Sequence, residues 1–221
     1  MFSRVSFAME ESMEAKGACK VTSSAEATEA YIRRIEEYRK RRDEFFKSNE
    51  NSPLLPEQRE RFRGLRYYPV KPEYRFVVEL QRDGVSQERV ILGTTTGEPK
   101  EFIVAGRVTV EIEGKPVTFT VYREVGRGRY FLPFRDATAG SETYSVGRYL
   151  DPQETPDGKL VIDFNMAYNP YCAYNDRWTC PIPPRGNIVD VPIRAGEMAY
   201  PDYVSVTEQE KPSGPMPLIG G

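Results

Sequence analysis

The stretch FIVAGRVTVEIEGKPVTFTV, residues 102–121, decides the fold class of this chain. Apolar and polar side chains alternate on both sides of Glu113-Gly114, which predicts a turn between two strands. Gly106 interrupts the alternation in the first strand, and this indicates a bulge or bend. We therefore expect a long antiparallel hairpin with one buried face.

Shorter segments of the same period flank this hairpin. Residues 74–80 alternate, and Asp83-Gly84 predicts a hairpin turn that leads into a return strand at 88–92. Gly126-Arg-Gly128 predicts a further turn into a strand at 130–132. No helix-length pattern separates these strands, so we expect a mainly β fold, an antiparallel meander that forms a β-barrel or sandwich.

An amphipathic helix precedes the β region. Tyr31, Ile35, Tyr38 and Phe45 recur at helical steps, which predicts a helix over about 25–47 with a narrow aromatic stripe. We expect this N-terminal amphipathic helix to pack on the β domain.

A charged run within this helix and two further elements complete the sequence prediction. The run Arg39 to Glu44 interleaves acids with bases, so we interpret it as the solvated face of the helix rather than a nucleic-acid patch. Pro56 suits the first turn of a short second helix. A final strand is expected over 188–193.

These patterns divide the chain into four expected parts. They are a flexible leader (1–22), an N-terminal helical segment (23–64), a β-barrel or sandwich domain (65–210) and a flexible tail (211–221). The tail is rich in Pro and Gly, and the leader has no sustained periodicity.

The composition excludes several classes of function. The 221 residues include no histidine, so Ser-His-Asp and Cys-His catalysis and His-ligated metal sites are excluded. The formal net charge of −2, with acids and bases intermixed, gives no field for nucleic acid or an anionic membrane. With no apolar run of about 18 residues, we expect no membrane partner and a cytoplasmic protein. We expect no cofactor, and the sequence does not indicate an oligomeric state.

Polar side chains among aromatic residues mark a candidate site within 131–180. Strand alternation places Asp163 and Asn165 on one face, and Tyr144 with Arg148 on another. Were these two strands paired, Arg148 and Asp163 would form a buried, charge-assisted pair. Such a pair either fixes strand register or contacts a ligand, and the sequence leaves both open.

A turn that ends at Gly140 offers a second polar group. Its Arg135, Asp136 and Thr138 suit an anion, held by backbone N–H groups and a guanidinium. Alternatively, Asp136 and Thr138 bond to their own backbone, as Asx and Ser/Thr turns do.

Three cysteines fit no disulfide framework, and we expect the thiols to be reduced. Cys172 and Cys180 have seven residues between them, wider than the pairs typical of zinc ribbons. They remain open to three interpretations: two small buried residues, a redox pair or disulfide, or metal ligands without a histidine partner.

The chain resembles a bacterial and archaeal family catalogued as domain of unknown function 1684. The resemblance covers roughly residues 30–200 and rests on the following residues: Pro133-Phe134-Arg135-Asp136, Thr138, Gly140, Thr143-Tyr144, Gly147-Arg148-Tyr149-Leu150, Asp163-Phe164-Asn165, Ala167-Tyr168-Asn169-Pro170, Cys172, Tyr174, Cys180-Pro181, Pro183-Pro184, Asn187 and Ala195-Gly196-Glu197. The family has no established activity, so the resemblance implies a coherent fold and no mechanism.

The leading functional hypothesis is binding, with turnover as a further step, of a small anionic or polar metabolite. Its acid–base groups would be Asp163 or Asp136. The ligand-binding candidates are Arg135, Thr138, Tyr144, Arg148, Asn165, Tyr168 and Asn169. One alternative is a non-catalytic structural or interaction module whose polar residues form a buried network. A second alternative is a thiol redox protein that uses Cys172 and Cys180.

Overall fold

A computed structural model describes residues 24–84 and 89–206. Outside these residues lie the predicted leader, the predicted tail and the end of the predicted first hairpin turn. Within these residues there are two α-helices, α1 (Ser24–Ser48) and α2 (Pro56–Arg61). The strands are β1 (Arg75–Val78), β2 (Arg89–Leu92), β3 (Lys100–Ile112), β4 (Lys115–Glu124), β5 (Tyr130–Phe134), β6 (Arg148–Leu150), β7 (Gln153–Glu154) and β8 (Leu160–Asp163).

The predicted long hairpin is the centre of a five-stranded antiparallel sheet in the order β2-β3-β4-β5-β6. The β3–β4 register shifts between Val104 and Gly106, which confirms the predicted bulge. A Cβ at position 106 would meet the backbone oxygen of Gln81 at 2.6 Å, so the close approach of another chain segment requires glycine. The sheet curls into a half-barrel, and the prediction of a mainly β, antiparallel fold is confirmed.

The hairpin predicted between β1 and β2 is wrong. Strand β1 pairs with β8, with Arg75 opposite Asp163, in a separate three-stranded sheet of order β1-β8-β7. After β1, the chain crosses to the large sheet, where Gln81 and Arg107 exchange two backbone hydrogen bonds of 2.9 Å. The chain therefore does not return beside β1. The bulge at Gly106 leaves room for residue 81 to approach β3.

The core lies between the two sheets. Alternate residues of β3 and β4 face inward, and the buried side chains of β8 meet them from the other side. Phe164, directly after β8, is fully buried and contacts the rings of Phe119 and Phe134 at centroid distances of 5.8 and 5.3 Å. Such edge-on and tilted ring contacts stabilise the core beyond simple burial.

Helix α1 confirms the predicted N-terminal helix, but its packed face is only partly the predicted stripe. Ile35 and Phe46 are buried, whereas Phe45 is partly buried. The interpretation of the charged run as a solvated face is only partly correct. Half of the run is exposed, but Arg39 and Arg42 reach inward to the β region. Arginine satisfies several acceptors at once through its planar group of donors, so it can occupy a buried helix face.

The predicted strand over 188–193 is replaced by irregular chain. This chain runs beside the continuation of β5, with Arg135 donating to Asn187 and accepting from Val189 through backbone groups. Only one bridge, from Arg135 to Ile188, has strand geometry. Pro192 has no N–H to donate, so a regular ladder cannot continue through this segment. Within the described residues, no helix is long and apolar enough to cross a membrane.

Candidate functional site

Arg148 on β6 is fully buried and is held by a structural network. Its guanidinium donates to the backbone oxygens of Ala195, Glu197 and Ile193, and to the carboxylate of Asp136 at 3.2 Å. The predicted pairing of Arg148 with Asp163 is therefore wrong. Strand β6 pairs with β5 at the edge of the large sheet, while β8 lies in the other sheet.

Asp136 binds its own turn as well as Arg148. Its carboxylate accepts from the Thr138 hydroxyl at 2.8 Å and from the Ile193 N–H at 2.7 Å. A longer contact of 3.4 Å from the Thr138 N–H gives the turn the Asx-type geometry that the sequence offered as an alternative. Arg135 is exposed beside this buried turn.

Asp163 and Asn165 come together, as expected from the sequence, although a short 3-10 helix at Phe164–Met166 brings them into contact. Asp163 caps that helix by accepting from the Asn165 N–H at 3.1 Å. The Tyr31 hydroxyl of α1 donates to Asp163 at 2.9 Å. Asn165 also holds both backbone groups of Lys71. The pair therefore anchors α1 and the chain before β1 to the end of β8.

Asn169 belongs to a second anchor, centred on the buried carboxylate of Glu197. One oxygen of Glu197 accepts from the Asn169 N–H at 2.7 Å and from the Tyr174 hydroxyl at 3.0 Å. The other oxygen accepts two bonds from Arg42 of α1, at 2.7 and 3.1 Å. Charge-assisted bonds of this kind are about twice as strong as neutral ones.

A cavity of about 330 Å³ lies where α1 covers β1, β8 and the segment from β6 to β7. Its lining residues are Arg34, Tyr38, Arg75, Leu150, Asp151, Pro152, Gln153, Val161, Asp163, Met166 and Tyr168. Arg34, Arg75 and Met166 are exposed at the mouth, whereas Asp163 and Tyr168 are buried at the floor. The mouth of the cavity is therefore cationic, and its floor carries carboxylates and apolar side chains.

Among the carboxyl groups that line this cavity, Asp151 has a shifted pKa. Burial raises the pKa of Asp151 to about 6, although a hydrogen bond from Tyr168 opposes the rise. The Tyr168 hydroxyl donates to both oxygens of Asp151, at 3.0 and 3.1 Å. Burial raises the pKa of Tyr168 well above its ordinary value, so this hydroxyl stays protonated and remains a donor.

The two mouth arginines lie close to the same aromatic ring. The guanidinium carbons of Arg34 and Arg75 are 5.5 and 5.9 Å from the ring centroid of Tyr31. Arg75 also lies 4.0 Å from an Asp163 oxygen. A second, more open cavity of about 430 Å³ is lined by Tyr31 and also by Arg34 and Arg75, so the two arginines border both cavities.

The sequence-predicted site residues do not lie together in the structure. Asp163 and Tyr168 line the cavity, and Asn165 contacts Asp163. The other candidates are not among its lining residues; they are Arg135, Asp136, Thr138, Tyr144, Arg148 and Asn169. Tyr144 instead donates to the backbone oxygen of Cys172 at 3.3 Å.

Sequence reasoning missed nine of the eleven lining residues, and four of the nine carry a charge or a tyrosine hydroxyl. Arg34 and Tyr38 had a usable signal, because their spacing of four residues puts them on one face of a helix. Asp151 follows directly after a strand end that carries the family resemblance, which was a second signal. Arg75 had none, since its partner Asp163 lies across a strand pairing that the sequence did not indicate.

The fold and this site define a mainly antiparallel β protein with a helix covering a polar cavity. The family described as "Protein of unknown function (DUF1684)" matches residues 60–198, and the chain belongs to that family. It is also similar to the solution NMR structure of an uncharacterized protein of Haloarcula marismortui, at 31% identity and a TM-score of 0.59. That match covers 78% of this chain and 96% of the other. No curated protein matches the chain.

Proposed function

We propose that the chain binds a small organic anion in the cavity beneath α1. The observation that carries the proposal is a single cavity whose lining combines the exposed Arg34 and Arg75 with the half-buried Asp151 and the buried Asp163. The arginines would take a carboxylate or phosphate group, because a guanidinium matches either one with two parallel hydrogen bonds. The inner carboxyls would take hydroxyl or amino donors on the body of the same ligand.

The size of the cavity limits the ligand. About 330 Å³ is near the lower end of the volumes that hold small molecules, so the ligand is of metabolite size. Leu150, Pro152 and Val161 supply apolar contacts, so the proposed ligand has a carbon skeleton as well as charge. The proposal needs no nucleic acid, membrane or cofactor, and it retains the cytoplasmic location expected from the sequence.

A further part of the proposal is that the protein catalyses a reaction of the bound ligand. A carboxyl whose pKa is about 6 exchanges its proton close to neutral pH, which suits general acid–base chemistry. We therefore propose Asp151 as the acid–base group, with the sequence-predicted Asp163 beside it in the same cavity. We assign Asp136 a structural role in this proposal, because its carboxylate bonds to Arg148 and Thr138.

Ligand screening by thermal shift tests the binding proposal. The probes are a panel of small carboxylates and phosphate monoesters, applied to the wild type, Arg34→Met and Arg33→Met. Arg33 is the matched control, since its exposed side chain pairs with Glu29 elsewhere on α1. We expect at least one probe to raise the melting temperature of the wild type and the control and to lose at least about tenfold in affinity with Arg34→Met. Equal affinity for all three proteins contradicts the proposal.

The second candidate function is a non-catalytic structural or interaction module. It is favoured by the sequence-predicted network, in which the Asp136 carboxylate is occupied by Arg148, Thr138 and Ile193. In that case the chain would bind none of the probes, and its function would reside in a surface. The thermal-shift panel separates the two candidates.

A further inference from the structure

Cys172 and Cys180 lie against each other in a second chemical site, at the two ends of the residue 172–180 loop. The Cys172 N–H donates to the Cys180 sulfur at 3.3 Å, which brings that sulfur to the start of the loop. Both residues are free thiols, 4% and 1% exposed. The loop is fixed at its far end, where the backbone N–H and C=O of Cys180 bond to Thr95.

Three polar side chains surround the thiols. The Tyr144 hydroxyl lies 3.7 Å from the Cys172 sulfur. Lys100 donates to the backbone oxygen of Thr179, next to Cys180, at 3.2 Å. Thr95 is exposed, and Lys100 and Tyr144 are half-buried, so the side chains beside the two thiols reach the surface of the protein. Two purely structural cysteines do not require such polar neighbours.

The two thiols have different acidities. A hydrogen bond from Cys180 lowers the pKa of Cys172, and the Tyr144 and Thr95 hydroxyls act in the same direction against burial. Burial raises the pKa of Cys180 well above its ordinary value. This asymmetry is the one expected of an attacking thiolate and a resolving thiol.

We propose that Cys172 and Cys180 form a two-electron redox site that is oxidised to a disulfide by a hydroperoxide. The Cys172 thiolate attacks the terminal peroxide oxygen; an S–O bond forms, the O–O bond breaks, and the alcohol leaves with a proton. The Cys180 sulfur then attacks the Cys172 sulfur; the S–S bond forms, the S–O bond breaks, and water leaves with the thiol proton. Two thiols are oxidised, and one hydroperoxide is reduced to alcohol and water.

Intact and peptide mass spectrometry of the folded full-length chain tests this site. The reduced protein is treated with a small excess of hydrogen peroxide and then alkylated in denaturant. We expect loss of two hydrogen atoms, a peptide pair joined through Cys172 and Cys180, and full recovery with dithiothreitol. Cys19→Ser, which removes the only other cysteine, should behave as the wild type does.

Two variants separate the roles of the thiols. Cys180→Ser should stop at a sulfenic acid on Cys172 that dimedone labels, whereas Cys172→Ser should leave Cys180 unlabelled. Two free thiols in the peroxide-treated folded wild type, or separate oxidation of each without a joined peptide, overturns the proposal. Because that decisive result comes from the wild type, unfolding of a variant does not affect it. The cavity variant Arg34→Met should oxidise normally, so this site and the ligand site fail independently.

Discussion

Arg42 of α1 and Glu197 form an ion pair with a 2.7 Å separation between Nη2 and Oε1, across 155 positions of the chain. Their side chains are 17% and 1% exposed. The Arg42 guanidinium also lies over the rings of Phe46 and Tyr168, at 5.2 and 5.4 Å. The pair therefore fastens the helix to the β region beside the cavity that the helix covers.

Arg42→Met should loosen α1. The substitution leaves the buried Glu197 carboxylate without its cation, and removal of one partner of a buried pair costs about 3–5 kcal/mol. Amide hydrogen exchange in residues 24–48 should accelerate by at least about tenfold, since the helix opens more readily than the sheets. Arg41→Met is the matched control, because Arg41 is exposed on the same helix. Equal exchange rates in the two variants would show that the pair does not hold the helix.

Arg148→Met should destabilise the whole fold. Three backbone oxygens and the Asp136 carboxylate lose a buried donor, so we expect a loss of about 3–5 kcal/mol in the free energy of unfolding. Arg194→Met removes an ion pair with Glu142 that is largely exposed, and should cost less than about 1 kcal/mol. Urea unfolding measures both. A small loss at Arg148 would be incompatible with a structural network.

Asp151→Asn should stabilise the protein at neutral pH. The folded-state pKa of about 6 is above the ordinary value of 3.8, so the folded state binds more protons than the unfolded state between these values. Stability contributed by the protonated carboxyl is present below about pH 4 and is lost as the pH rises through 6. The amide does not ionise and should keep the Tyr168 bond, so the variant gains about 1–3 kcal/mol at pH 7 after allowance for solvent screening.

The gain from Asp151→Asn should disappear below about pH 4, where both proteins carry an uncharged group. Urea unfolding at pH 4, 5, 6 and 7 measures the difference. Asp190→Asn serves as the control, because Asp190 is exposed. A gain that does not change with pH would mean that the effect of the substitution is not electrostatic.

Local patterns predicted the first helix and most of the strands, because alternation and helical spacing act within one segment. The β3–β4 hairpin and its bulge followed from residues 102–121 alone. The pairing of β1 with β8 did not, since Arg75 and Asp163 are distant in sequence and each strand is only four residues long. Several strand pairings are compatible with such short alternating segments.

The candidate site was predicted less well for a related reason. Asp163 and Tyr168 were identified from one polar stretch, but the cavity also needs Asp151, which was overlooked in that stretch, and Arg34 and Arg75 from two other segments. A buried arginine has the same sequence signature whether it binds a ligand or backbone oxygens, as Arg148 does. Burial and partners distinguish the two roles, and both depend on tertiary contacts.

Methyl NMR of methionine-labelled protein tests the proposed ligand site most directly. Met166 lies at the cavity mouth and is 37% exposed, whereas Met198 is not among the lining residues and serves as an internal control. On titration with a carboxylate or phosphate monoester that raises the melting temperature, the Met166 methyl signal should shift and the Met198 signal should not. Stabilising probes that leave Met166 unchanged, or a panel in which no probe binds, would contradict a small-anion site beneath α1.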